Sequence, residues 1–98
     1  MNNLYLANAL VTDSKGRMLA VRKENSIYFQ MVGGKIDGIE KPIETLEREF
    51  KEEININIHQ HKVFFLGNHT TNAVNEENTQ VHATIFHVHL NFINTLKI

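Results

Sequence analysis

Ninety-eight residues are enough for one domain with a single modest core, and 42% apolar with 21% charged side chains is ordinary for a soluble globular chain. Ten basic against eleven acidic groups leave a formal net charge of −1, which argues against a nucleic-acid-binding surface, since such surfaces are usually basic. There is no cysteine, which excludes a disulfide framework, a thiol nucleophile and a cysteine zinc site. No basic N-terminal segment leads into an apolar run of signal or membrane-spanning length, so the expectation is a cytoplasmic protein with no membrane partner.

In chain order, residues 4–12 read as a first strand and 18–22 as a second. Between them Asp13-Ser14-Lys15-Gly16 makes a hairpin turn, with glycine placed for a positive φ. Residues 26–32 are expected to be extended and to lead into a tight loop at Gly33-Gly34. A helix follows. Pro42 sits in its first turn, where a missing N–H costs nothing, and Glu40 and Glu44 lie near the positive end of its dipole. Ile43, Leu46, Phe50 and Ile54, spaced three, four and four apart, form its buried stripe. Beyond the helix, 61–66 is strand-like, 68–80 reads as a polar loop rich in Asn, Thr and Glu, and 81–92 is the longest β candidate. The order β-β-β-α-β-β suits an α+β sandwich.

Six residues at fixed spacing carry the chemistry: Gly34, Glu40, Arg48, Glu49, Glu52 and Glu53. On a helix Glu49 and Glu53 share one face with Glu52 beside them, and three such carboxylates repel one another unless a cation intervenes. Hard divalent cations take oxygen ligands, and Mg²⁺ keeps several waters while binding substrate phosphates. A solvated helix face laced with Glu44–Arg48, Glu47–Lys51 and Arg48–Glu52 pairs would account for the helix alone, but not for Gly34 and Glu40 at their offsets. At ~7% usage per residue type, six fixed matches have odds near ~10⁻⁷.

The run over residues 34–56 resembles the Nudix box, G-x5-E-x7-R-E-U-x-E-E-x-G-U with U aliphatic. The resemblance implies a Nudix-like mixed α/β/α sandwich and a pyrophosphohydrolase that uses Mg²⁺ or Mn²⁺. Its substrate would be a nucleotide-type small molecule, a nucleoside diphosphate linked to another moiety (a nucleoside triphosphate or ADP-ribose type). By the same resemblance the Gly34 carbonyl and the Glu49, Glu52 and Glu53 carboxylates would hold metal. Arg48, partnered by Glu40, would orient the acids, and one acid would activate the attacking water. Arg22 and Lys23, at the end of the second strand, would face phosphate, with Gly33 and Phe29 lining the substrate side.

Three positions depart from the family pattern. Asn55 stands for the late glycine, Phe50 for an aliphatic residue and Val32 for a proline before the double glycine. Asparagine is the best non-glycine residue for a left-handed C-terminal position, so the first change is mild. The chain also stops where family members continue into a further strand and a second helix. Residues 1–98 are therefore expected to be a single, incomplete Nudix domain with one sheet face left apolar. A gene fragment, a short member completed as a homodimer, and a catalytically silent Nudix-like module that binds nucleotide or protein are the competing accounts. His59-x-His61 and His87-x-His89 each put two imidazoles on one strand face, without a third metal ligand at recognisable spacing.

Overall fold

The computed structural model describes residues 1–22, 29–73 and 77–91, with Phe29 described by its backbone. Its elements are β1 (Asn2–Asp13), β2 (Met18–Leu19), β3 (Val21–Arg22), β4 (Phe29–Gln30), β5 (Val32–Lys35), α1 (Pro42–Ile54), a 3₁₀ turn (Ile58–Gln60), β6 (Lys62–Asn72) and β7 (Thr79–Leu90). A five-stranded mixed sheet runs β2-β1-β7-β6, with β5 beside β2 along the same edge of β1. The β1–β7 pair is parallel and the other pairs are antiparallel, while β3 and β4 make a separate two-stranded ribbon.

Alternation along β1 decides which face carries the core. Ala7, Ala9, Val11 and Asp13 are buried, while Leu4, Leu6, Asn8, Leu10 and Thr12 between them are only half-buried. Leu46, Phe50 and Ile54 of α1 close over the buried face and join Val32, Ile58, Phe86, Val88 and Leu90 in one core. Phe50 is fully buried there. The extra volume of an aromatic ring is accommodated against a strand whose buried residues include two alanines.

Local chemistry fixes the helix ends. The Glu44 carboxylate accepts the Lys41 N–H at 2.8 Å, which satisfies one donor of the first turn. Asn55 takes the left-handed conformation (φ 54°, ψ 42°), its N–H donates to the Lys51 carbonyl, and Ile56 N–H donates to Phe50. This is the terminating geometry that the substitution of asparagine for glycine allows. The Asp13–Gly16 hairpin forms as the sequence implies: Asp13 Oδ1 accepts from the backbone N–H of Lys15 and Arg17, and Gly16 has φ 76°.

Three expectations are corrected. Gly33 and Gly34 form no tight loop: both lie in β5, paired with Asn8 and Ala7 of β1, and the turn comes only at Gly38-Ile39, so the missing Cβ serves close packing rather than chain reversal. The second strand is interrupted at Ala20, between β2 and β3. The supposed polar loop 68–80 is mostly strand: β6 continues to Asn72, β7 begins at Thr79, and the connection shrinks to 73–78. Polarity misleads there because β6 lies at the sheet edge, where its outer positions meet water. Thr84 donates to Asn68 and Thr70 bonds His82, so side-chain pairs across the strands replace apolar contact. A bulge between Phe65 and Gly67 resets the register at the point where the apolar half of β6 gives way to the polar half.

On the face turned away from α1, Leu6 and Leu10 share the surface with Ile85 and with Phe64, which is half exposed, and among the described residues no helix packs over them. The same face holds His87 and His89, both hydrogen-bonded to the Thr12 hydroxyl, at 2.7 and 2.9 Å. His59 bonds Glu47, and His61 accepts the Asn91 N–H at Nδ1, so each histidine of the two pairs has a protein partner. Among the described residues no helix is long and apolar enough to cross a membrane.

The Asn55 geometry makes a stability prediction. Asn55→Gly leaves the unfolding free energy unchanged or slightly raised, whereas Asn55→Val, forced into the same left-handed region, lowers it by about 1–2 kcal/mol. Urea denaturation of the two variants measures the difference.

Candidate active site

The acidic helix is locked to the loop before it by one guanidinium. Arg48 Nε and Nη2 donate to the two oxygens of Glu40, each at 2.9 Å, in a fork geometry that lysine cannot reproduce. Glu40 Oε1 also accepts the Asp37 N–H at 2.9 Å and the hydroxyl of buried Thr45 at 3.0 Å. These donors, Arg48 first and the Asp37 N–H next, hold the Glu40 carboxyl well below the usual carboxylate range, at about 2. In return the Glu40 carboxylate, aided by Glu49, raises the already high affinity of Arg48 for its proton.

Arg48 also reaches the strand side. Nη2 donates to the Lys35 carbonyl at 3.2 Å, Nη1 donates to Glu49 Oε1 at 2.8 Å, and Glu52 Oε2 lies 3.7 Å away. Of the three helix pairs compatible with the sequence, Arg48–Glu52 is formed, while Glu44 turns back to cap the helix and Glu47 bonds His59. Glu49 is pressed against β5. A Cβ on Gly34 would fall 2.8 Å from Glu49 Oε1 and 2.9 Å from its Cδ, so only glycine leaves room for the carboxylate beside the backbone.

Gly33, Gly34, Arg48, Glu49, Glu53 and Arg22 line one open cleft of about 1210 Å³. Glu52 does not line it; its side chain is 58% exposed against 16% for Glu49, and it projects along the outer side of the helix. Glu40 lies behind Arg48, a positioning group rather than a wall of the cleft. Lys23 and the Phe29 side chain fall outside the described residues. Polar cleft residues that went unnoticed in the sequence include Asp37 and Asn8, beside Gln30 and Lys35. The first precedes Glu40 by three positions and could have been found as a loop acid at the helix entrance; the second has no spacing signal at all.

Among the described residues no three acids or histidines already converge as a metal centre. The donor set still fits a hard cation: carboxylates of Glu49 and Glu53 face the cleft together with the glycine backbone against which Glu49 rests. An acid-bearing helix packed on a glycine-notched strand, in a mixed sheet with an open cleft, defines the class as an α+β domain with an acidic cleft. A NUDIX domain family model matches residues 5–96, nearly the whole chain, and the chain belongs to the Nudix family. Members of this family are generally metal-dependent pyrophosphohydrolases of nucleoside diphosphate derivatives.

Solved structures show the same fold. The MutT protein from Methanosarcina mazei Go1 is 23% identical, with a TM-score of 0.78, over 99% of this chain and 70% of that one. The E. coli dihydroneopterin triphosphate pyrophosphohydrolase is 15% identical with a TM-score of 0.83, over 96% of this chain and 73% of its own. The C. elegans Ap4A hydrolase is 18% identical with a TM-score of 0.71, over 99% and 76% respectively. No curated protein sequence matches the chain.

The depressed acidity of Glu40 sets a pH window. Its contribution to stability is fully present above the ordinary carboxylate pKa of about 4.5 and is lost as pH falls through about 2. Glu40→Gln therefore lowers the melting temperature near neutrality and flattens the acid limb of a melting-temperature profile. The Asp13 carboxyl, also held low by its bonds to Arg17 and Lys15, keeps the remaining slope.

Proposed function

We propose that the chain is a metal-dependent hydrolase of a nucleoside diphosphate linked to another group. The observation that carries this reading is Glu49 held against Gly34 by Arg48, which is itself anchored on Glu40. The Gly34 carbonyl with the Glu49 and Glu53 carboxylates would hold Mg²⁺ or Mn²⁺, and Glu52, off the cleft wall, would reach the cation through water. The bound cations would neutralise the diphosphate and lower the pKa of a water. Within the chain, Arg48 fixes the Glu49 carboxylate by a charge-assisted bond, so that it does not have to be ordered when substrate arrives. Glu53, on the same helix face and open to the cleft, takes the proton of the attacking water. Arg22 lies on the same cleft, where its guanidinium suits phosphate oxygens. Lys23 and Phe29 remain proposed substrate contacts.

Attack on one phosphorus breaks a P–O–P bridge. The products are a nucleoside monophosphate with a phosphorylated second group, or pyrophosphate when the substrate is a triphosphate. The exposed sheet face and the ordinary charge balance are compatible with a homodimer that binds small nucleotides rather than nucleic acid.

Two experiments address this reading. Phosphate or monophosphate release is followed from nucleoside triphosphates, ADP-ribose and dinucleotides, with Mg²⁺ or Mn²⁺ and with chelator. Turnover requires the cation, and Glu53→Gln reduces it by about 10²–10⁴-fold. Nucleotide binding without release by folded wild-type protein would instead mark a silent binding module. Second, Gly34→Ala displaces Glu49 and weakens Mn²⁺ binding by about 10–100-fold, measured by titration calorimetry, while the circular dichroism spectrum is unchanged.

A further inference from the structure

The cleft extends well past the acids, and its far end contains a residue that the proposed chemistry does not use. On the β1 face turned away from α1, Asn8 stands between Leu6 and Leu10. Asparagine is depleted in strand interiors, and the carboxamide here is not sealed from water, since among the described residues no buried side-chain polar atom lacks a partner. The Asn8 side chain has no hydrogen-bonding partner among the described residues, and it lines the cleft.

Gly33 keeps it uncovered. The two residues are paired in register across β1 and β5. A Cβ at Gly33 would collide first with the Ala7 carbonyl oxygen and would also lie 2.7 Å from Asn8 Oδ1 and 2.8 Å from its Cα, and Gly33 has φ 143°, a region that disfavours side chains. Successive strand residues address opposite faces. Gly33 therefore notches the sheet face that holds Asn8, and Gly34 notches the face that holds Glu49. One continuous cleft passes around β5 and joins the two. A ligand whose phosphates lie at Glu49 and Glu53 would carry its remaining group through the Gly33 notch, against the apolar Leu6 and up to the Asn8 amide.

We infer that Asn8 is a specificity-determining residue that reads the ring edge of the group borne by the phosphates. This rests on the reading of the acidic end as a phosphate site. A carboxamide presents a donor and an acceptor side by side, which matches a heterocycle showing the complementary pair, as nucleobases do. Leu6 supplies the apolar surface beside it. The ligand class is a nucleoside di- or triphosphate rather than a base-free polyphosphate.

The test is equilibrium binding of ADP, GDP, CDP, UDP and inorganic pyrophosphate, by calorimetry in Mg²⁺, to wild type, Asn8→Asp and Asn8→Thr. Asn8→Asp keeps the shape and removes the donor; Asn8→Thr is compatible with a strand, so one variant remains usable if the buried charge of the other unfolds the protein. The expected result is that at least one nucleoside diphosphate binds wild type about tenfold or more tightly than pyrophosphate. In the variants that preference falls by about tenfold while pyrophosphate affinity stays within about twofold. Base preferences that survive in the folded variants overturn the inference. So does a wild type that binds nucleotides no better than pyrophosphate, or binds none of the five. Hydrolysis is scored separately with Glu53→Gln. Base preference that follows Asn8 without any turnover leaves this inference standing and sinks the hydrolase; turnover with base preference indifferent to Asn8 does the reverse.

Discussion

The two-pronged bond from Arg48 to Glu40 is the constraint on which the site depends. The buried stripe fixes which face of the thirteen-residue helix meets the sheet but leaves the acid side chains free to swing. Arg48 removes that freedom by joining three separate segments: the loop through Glu40, the strand through the Lys35 carbonyl, and the helix through Glu49. Glu40 in turn is held by the Asp37 N–H and the buried Thr45 hydroxyl, so the fork rests on a carboxylate that is itself immobile. The hydrophobic stripe beneath sets the distance and rotation of the helix on the sheet, and the polar lattice above sets where the Glu49 carboxylate points.

The acidic helix and its loop were legible in the sequence because their chemistry demands particular residue types at spacings the backbone geometry fixes. The apolar stripe and the left-handed Asn55 follow from local rules, with Ile43 only partly buried, while the Glu40–Arg48 bond is the one the family resemblance implies. What escaped was governed by register. Nothing in linear order couples residue 8 to residue 33; only the β1–β5 pairing does. The polar half of β6 was misread for a related reason, since an edge strand needs partners for its backbone more than it needs apolar side chains. The cleft itself is a product of pairing, and its polar end could not be seen until the strands were placed.

The glycine pair shows how little sequence is needed to shape such a cleft. One glycine admits a carboxylate from the helix side, and the next leaves an amide uncovered on the other side. A side chain at either position would collide with a named atom, so the two absences are as specific as any side chain in the site.

The parallel ladder between β1 and β7 has a consequence for how the molecule is made. Asn2 pairs with Thr79 and Asp13 with Leu90, so the central strand pair joins segments more than seventy residues apart. Contacts this distant must wait for the closure of a long loop, which places the chain among topologies that assemble slowly. During synthesis the acidic helix would emerge and could coil long before β7 exists to complete the surface beneath it. Until then Phe86, Val88 and Leu90 are absent from the core, and Leu46, Phe50 and Ile54 have only part of their burial. The nascent chain thus passes through a stage with a formed acidic face and an unfinished apolar one, when protection by a chaperone matters most.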